Sequence, residues 1–123
     1  MKLTKNFKLS EFACKDGTPV PRQYMMNVQN LANNLQILRD YINKPIKINS
    51  GYRTKSHNDS VGGSKKSQHL LAKAADIVIS GMTPRELKDI IEQLISQGKM
   101  KQGGIGLYNT FVHYDIRGTK ARW

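Results

Sequence analysis

Between positions 24 and 42 the apolar side chains recur at the spacing of one helix face. Tyr24, Val28, Leu31, Leu35, Leu38 and Ile42 are separated by four, three, four, three and four residues. This predicts a helix over residues 22–43 whose stripe covers an apolar partner, most simply a sheet. Pro45 forbids its continuation. The period then changes to two in Ile46-Lys47-Ile48-Asn49, as in a strand, and Ser50-Gly51-Tyr52-Arg53 ends it. Residues 54–68 are polar and rich in Ser, Gly and Lys, which predicts a long loop or a short irregular helix. Ala74-Ala75-Asp76-Ile77-Val78-Ile79 reads as a second strand.

Thr83-Pro84-Arg85-Glu86 carries the signals of a helix start: a capping hydroxyl, proline at the first position and a glutamate that completes a capping box. Leu87, Ile90, Ile91, Leu94 and Ile95 form its stripe, and Gly98 stops it. Two more strands are predicted, Gly104–Leu107 and residues 111–116, with Asn109-Thr110 turning between them as an antiparallel pair. Near the start, Leu9-Ser10-Glu11-Phe12 suggests a helical turn capped by Ser10, and residues 16–21 a loop. The sum is an α+β domain, with helices on one face of a small, mostly antiparallel sheet.

The length of 123 residues suits one domain, expected to span 1–123, and no linker or repeat divides it. Apolar residues at 38% and charged residues at 24% are globular proportions, which excludes a disordered chain. No apolar run approaches the roughly 18 residues of a membrane span. No apolar segment follows the basic start Met1-Lys2-Leu3-Thr4-Lys5-Asn6, so no signal peptide is expected. A monomer made in the cytoplasm is the expectation. The single cysteine, Cys14, excludes an intrachain disulfide, and no catalytic-cysteine motif surrounds it, so it reads as a small apolar residue.

A formal charge of +11 favours a polyanionic partner: nucleic acid, an anionic bacterial wall or an acidic membrane surface. The basic residues are scattered, and Lys65-Lys66 is their one adjacent pair. No nucleic-acid motif or aromatic platform accompanies them, so no specific nucleic-acid binding is expected.

The candidate chemistry lies with three histidines, His57, His69 and His113. His69 precedes Asp76 by seven residues, and His113 precedes Asp115 by two, which puts that pair on one strand face. Asp76 interrupts an apolar run, where a carboxylate is costly without a compensating charge. A zinc ion held by His69, Asp76 and His113 would compensate it, with a coordination position left open. Arg53 or a backbone donor would serve Asp76 as well, and spacing alone does not choose between them.

The residues carry more than their spacing. Ser50-Gly51-Tyr52-Arg53, His57-Asn58, the run from Val61-Gly62-Gly63 to Ser67-Gln68-His69-Leu70, Ala74-Ala75-Asp76-Ile77 and Phe111-Val112-His113-Tyr114-Asp115-Ile116-Arg117-Gly118 closely resemble the zinc D-alanyl-D-alanine carboxypeptidase family. The match is strongest to its short, phage-endolysin-like branch. Phe7-Lys8-Leu9-Ser10-Glu11-Phe12 and Ala121-Arg122-Trp123 resemble that branch too, so the likeness covers nearly the whole chain. It implies a fold shared with the hedgehog signalling domain and zinc held by His69, Asp76 and His113. It further implies a substrate-holding Arg53 and hydrolysis of peptide bonds in bacterial peptidoglycan, by a carboxypeptidase or an endopeptidase acting at the wall after release. The alternative role of Arg53 is an ion pair with Asp76 or Asp59. Ser67 and Gln68 would orient substrate or ligands, though Ser67 would equally serve the loop backbone.

Two positions depart from the family pattern. Where many relatives carry glycine three residues after the first histidine, this chain has Ala72, expected to shift the local geometry without abolishing it. Where larger relatives carry an acid three residues before the last histidine, this chain has Thr110, which cannot take a proton. Asp115 is the candidate replacement for that general base. Its alternative role is to accept the ring N–H of a histidine ligand. His57 is a reserve acid–base or oxyanion donor, or simply a surface loop histidine. The missing acid also motivates the alternative of a non-catalytic zinc-binding module of the same fold.

Overall fold

Five strands and three α-helices, with three short 3-10 turns, make up the computed structural model, which describes residues 1–123. In chain order they are α1 (Met25–Ile42), β1 (Lys47–Ser50), α2 (Lys55–Ser60), β2 (Ala74–Val78), α3 (Pro84–Ser96), β3 (Gly104–Leu107), β4 (Val112–Asp115) and β5 (Ala121–Arg122). The sheet order is β1-β2-β4-β3-β5, antiparallel except for β5, which runs parallel to β3. This is the α+β arrangement that the hydrophobic pattern predicts.

The long helix forms where its stripe demands. Val28, Leu31, Ala32, Leu35 and Leu38 are buried, and a 3-10 turn over Arg22–Tyr24 supplies its first residues. Asn43 closes it in the left-handed conformation at φ 59°. In α3 the predicted capping box is present: Glu86 N donates to Thr83 Oγ1 and Thr83 N donates to Glu86 Oε1, both at 3.1 Å. The cap of the first 3-10 turn, Leu9–Phe12, differs from the expectation. Ser10 lies inside that turn, and Lys8 N donates to Glu11 Oε1 at its head.

Strand periodicity divides the sheet chemically. Ala75 pairs with Tyr114 and Ile77 with Val112, and these side chains join Ile48 and Ile105 in a cluster of 22 buried residues with the helix stripes. The alternate positions point the other way. There Asp76 pairs with His113, and Gly106 pairs with His113 from the opposite side. One face of the sheet therefore holds the core, and the other carries polar chemistry.

Candidate metal centre

Three backbone elements bring the donors together. A 3-10 turn over Gln68–Leu71 presents His69, and Ser67 caps it by accepting the His69 N–H at its Oγ, 3.2 Å away. Strands β2 and β4 present Asp76 and His113 as ladder partners. His69 Nε2 and His113 Nδ1 each lie 3.2 Å from Asp76 Oδ1. The three donor atoms lie within 4.8 Å of one another, and all three residues are buried.

The outer ring nitrogens are held as well. His69 Nδ1 donates to Gly51 O at 2.7 Å, and His113 Nε2 donates to Asp115 Oδ2 at 2.7 Å. Both partners are acceptors, so each ring carries a proton outward, and its inner nitrogen donates to Asp76 when protonated and offers a lone pair to a metal ion when it is not. Two imidazole nitrogens and one carboxylate oxygen converging in this way fit a divalent ion such as zinc.

Electrostatics around the cluster are dominated by compensation. Burial pushes the Asp76 carboxyl upward, but hydrogen bonds from His113 and His69 outweigh it and hold the group below the ordinary carboxylate range. Burial alone would lower His113, yet Asp115 and Asp76 raise it above the ordinary histidine value. Arg53 adds a fixed positive charge. Its Nη2 lies 3.2 Å from Asp76 Oδ2, its Nε donates to Ser50 Oγ at 3.1 Å, and its Nη1 donates to Asn58 Oδ1 at 3.2 Å. Asn58 is buried, and a side chain at Gly63 would collide with it.

A cleft opens over the three donors. The loop from Val61 to Gln68 borders it on one side, with Arg53 at its edge. Aromatic side chains form another wall. Tyr108 stacks on Phe111 at 4.4 Å between ring centroids, and Trp123 lies 4.9 Å from the His113 ring. The Trp123 Nε1 donates to Tyr108 Oη at 2.9 Å, and Arg117 lies over the indole. Gly106 makes room for that indole, since a Cβ there would sit 2.5 Å from Trp123 Nε1.

A family model described as Peptidase M15 matches residues 5–115. The chain belongs to the peptidase M15 family. No curated protein matches it at a significant level. As an M15 peptidase it is expected to depend on a metal ion, and the His69, Asp76 and His113 cluster is where its own residues offer one a place.

The M15 cleft corrects two expectations. Asp115 does not face the cleft. It is fully buried behind His113, on the side away from Asp76. Its oxygens are occupied by His113 Nε2, by Arg117 Nε and Nη2, and by the backbone N–H groups of Gly104 and Arg117. Burial raises its pKa, but those donors outweigh it and leave the group below the ordinary range. A carboxylate so placed holds the His113 ring in position and has no path to a proton in the cleft. His57 is the second correction. It is absent from the cleft lining and groups with Cys14 and Asp16 instead.

Other residues fall closer to expectation. Arg53 both borders the cleft and pairs with Asp76. Ser67 lines the cleft while bonding the turn backbone, and Gln68 lines it with no hydrogen bond from its side chain to the protein. Asn58, Arg117 and the aromatic wall lie within or beside the family-like motifs without a role that the sequence alone assigns. The buried polarity of Asn58 five residues after Arg53, and the glycines at 103, 104 and 106, are the signals that mark them, since each glycine leaves space that Asp115 or Trp123 fills.

Proposed function

We propose that this M15 peptidase is a zinc enzyme that hydrolyses peptide bonds of bacterial peptidoglycan, as a carboxypeptidase or an endolysin-type endopeptidase. The observation that carries the reading is the convergence of His69 Nε2, Asp76 Oδ1 and His113 Nδ1 beneath an open cleft, with both outer ring nitrogens already bonded. Zinc bound there would polarise a scissile carbonyl and acidify water.

The protein's own residues supply the rest. Arg53 keeps part of its guanidinium toward the cleft and stabilises negative charge developing on the carbonyl oxygen. Asp115 keeps the His113 ring in one tautomer. The loop residues Ser67 and Gln68 and the aromatic wall align an extended peptide between them. Asp76 is the one carboxylate lining the cleft, and Arg53 holds its second oxygen. The proton released on attack therefore passes to solvent in the open cleft. The same observation favours a second reading, a metal-binding module of this fold that does not hydrolyse.

Turbidity loss of purified peptidoglycan, with mass spectrometry of the released fragments, separates the two. Cleavage that a chelator stops and His69→Ala abolishes supports the enzyme, and the fragments name the bond. Zinc-loaded protein that leaves several wall chemotypes intact supports the module. Asp115→Asn is expected to weaken zinc binding by roughly 10–100-fold. Unchanged zinc affinity with lost hydrolysis would return Asp115 to the role of base.

A further inference from the structure

A second group of ligand-type side chains lies outside the cleft. Cys14, Asp16 and His57 each offer one donor atom, and these atoms lie within 4.8 Å of one another. They come from two separate segments. Cys14 and Asp16 sit on a tight turn closed by the bonds Cys14 N to Thr18 O and Gly17 N to Cys14 O. His57 sits in the first turn of α2.

The turn is already rigid. Asp16 Oδ1 accepts from Thr18 N at 2.9 Å, and Asp16 Oδ2 accepts from Thr54 Oγ1 at 2.8 Å. Thr54 also caps α2 by accepting from His57 N at 3.1 Å. This hydroxyl therefore joins the two segments and sets the three donors around one point. Two observations are left unexplained by that network. Neither ring nitrogen of His57 has a hydrogen-bond partner, and the buried Cys14 thiol has only weak ones, Thr54 Oγ1 at 4.0 Å and the Asp16 carboxylate. An imidazole without a partner and a weakly bonded thiol thus lie beside a carboxylate.

We propose that Cys14, Asp16 and His57 form a second metal site, for a borderline-soft divalent ion such as zinc. The donor set is the reason: thiolate, imidazole and carboxylate together select zinc-type ions over calcium or magnesium. Tetrahedral zinc holds such donors about 3.5 Å apart. Closing from the present spacing takes side-chain rotation of His57, partly exposed and without a ring hydrogen bond, toward the carboxylate that Thr18 and Thr54 hold. Binding displaces the Cys14 thiol proton to solvent, and water completes the coordination on the exposed side of Asp16.

The consequence is a clamp. The ion ties the Cys14–Thr18 turn to α2, whose Asn58 holds Arg53. The second site is thereby structural, and it stiffens the segment that carries the arginine at the edge of the cleft.

Cobalt provides the test, because the two sites differ in sulfur. His69, Asp76 and His113 contain none, so a thiolate-to-cobalt charge-transfer band in the near ultraviolet can arise only from Cys14. Metal-free full-length protein titrated with Co2+ is expected to take up two ions per chain and to develop that band. The band should persist in His69→Ala and vanish in Cys14→Ser. His57→Ala, which leaves the core untouched, should weaken the band's Co2+ affinity at least tenfold, so the proposal stays testable if Cys14→Ser misfolds. One ion per chain with no charge-transfer band would overturn it. So would a band indifferent to His57→Ala, which would mean a thiol binding metal on its own. Either result leaves the reading of the cleft standing, since that reading depends on the sulfur-free site.

Discussion

Ala72 sits at φ 58° and ψ 32°, in the left-handed region, and is buried where the 3-10 turn of His69 hands over to β2. Glycine adopts this conformation at no steric cost, and this chain keeps it in spite of the extra methyl. A left-handed alanine costs about 1–2 kcal/mol. Glycine would remove that strain, lose a buried methyl worth about 0.8 kcal/mol and add chain entropy of about 0.5–1 kcal/mol. Ala72→Gly is therefore expected to fall within about 1 kcal/mol of neutral. Ala72→Val, β-branched in the same conformation, should cost more than about 2 kcal/mol. Urea midpoints of the two variants check both values. At this scale the cluster of His69, Asp76 and His113 was legible because Asp76 breaks an apolar run and matches a family pattern. The choice between the two roles open to Asp115 was not. Same-face spacing puts it beside His113, but which ring nitrogen it meets depends on the χ angles, and those are set by Gly103, Gly104 and Arg117.

Among the elements, α1, α3 and the antiparallel strands follow from period and caps, and their register follows from which face is apolar. The 3-10 turn at His69 escaped and the short α2 was expected only as an alternative to a loop, because neither has enough residues to show a period. Strand β5 escaped for the same reason: two residues carry no alternation, and only its parallel pairing with β3 defines it. Arg122 of β5 nevertheless fastens the sheet edge. It donates from Nε and Nη2 to the two carboxylate oxygens of Glu92 in α3, both at 2.8 Å, and from Nη1 to Gly103 O at 2.6 Å. The Arg122 hydrogen bond holds the Glu92 carboxyl below its ordinary value of 4.5. A depressed folded-state pKa means stabilisation that is complete above the unfolded value and lost as pH falls through the folded one. Glu92→Gln should therefore destabilise by about 0.5–1 kcal/mol at neutral pH, the pair being partly exposed. The gap from wild type should close as pH drops below about 4.5. Thermal melts at pH 7 and pH 3.5 read it directly.

For the whole molecule, an excess of 20 basic over 9 acidic residues gives +11, while the polar face of the sheet is built from buried, mutually compensating charges. The net charge thus belongs to the surface and acts at long range. No helix is long and apolar enough to cross a membrane. Cosedimentation with purified anionic walls is expected to weaken about tenfold between 50 mM and 500 mM salt, because screening shortens the reach of surface charge. Salt-independent retention would mean that the cleft, and not the net charge, carries adsorption. The pairing of Asp76 with His113 across β2 and β4 has a further consequence, for how such a chain can change over generations. One residue inserted into either strand would turn its ligand to the core face and destroy the site. Insertions in the loop from Val61 to Lys66, or in the turn at Asn109-Thr110, leave the ladder intact. Descendants of this fold are free to lengthen the rims of the cleft and redraw what it accepts, while the two strands beneath must keep count.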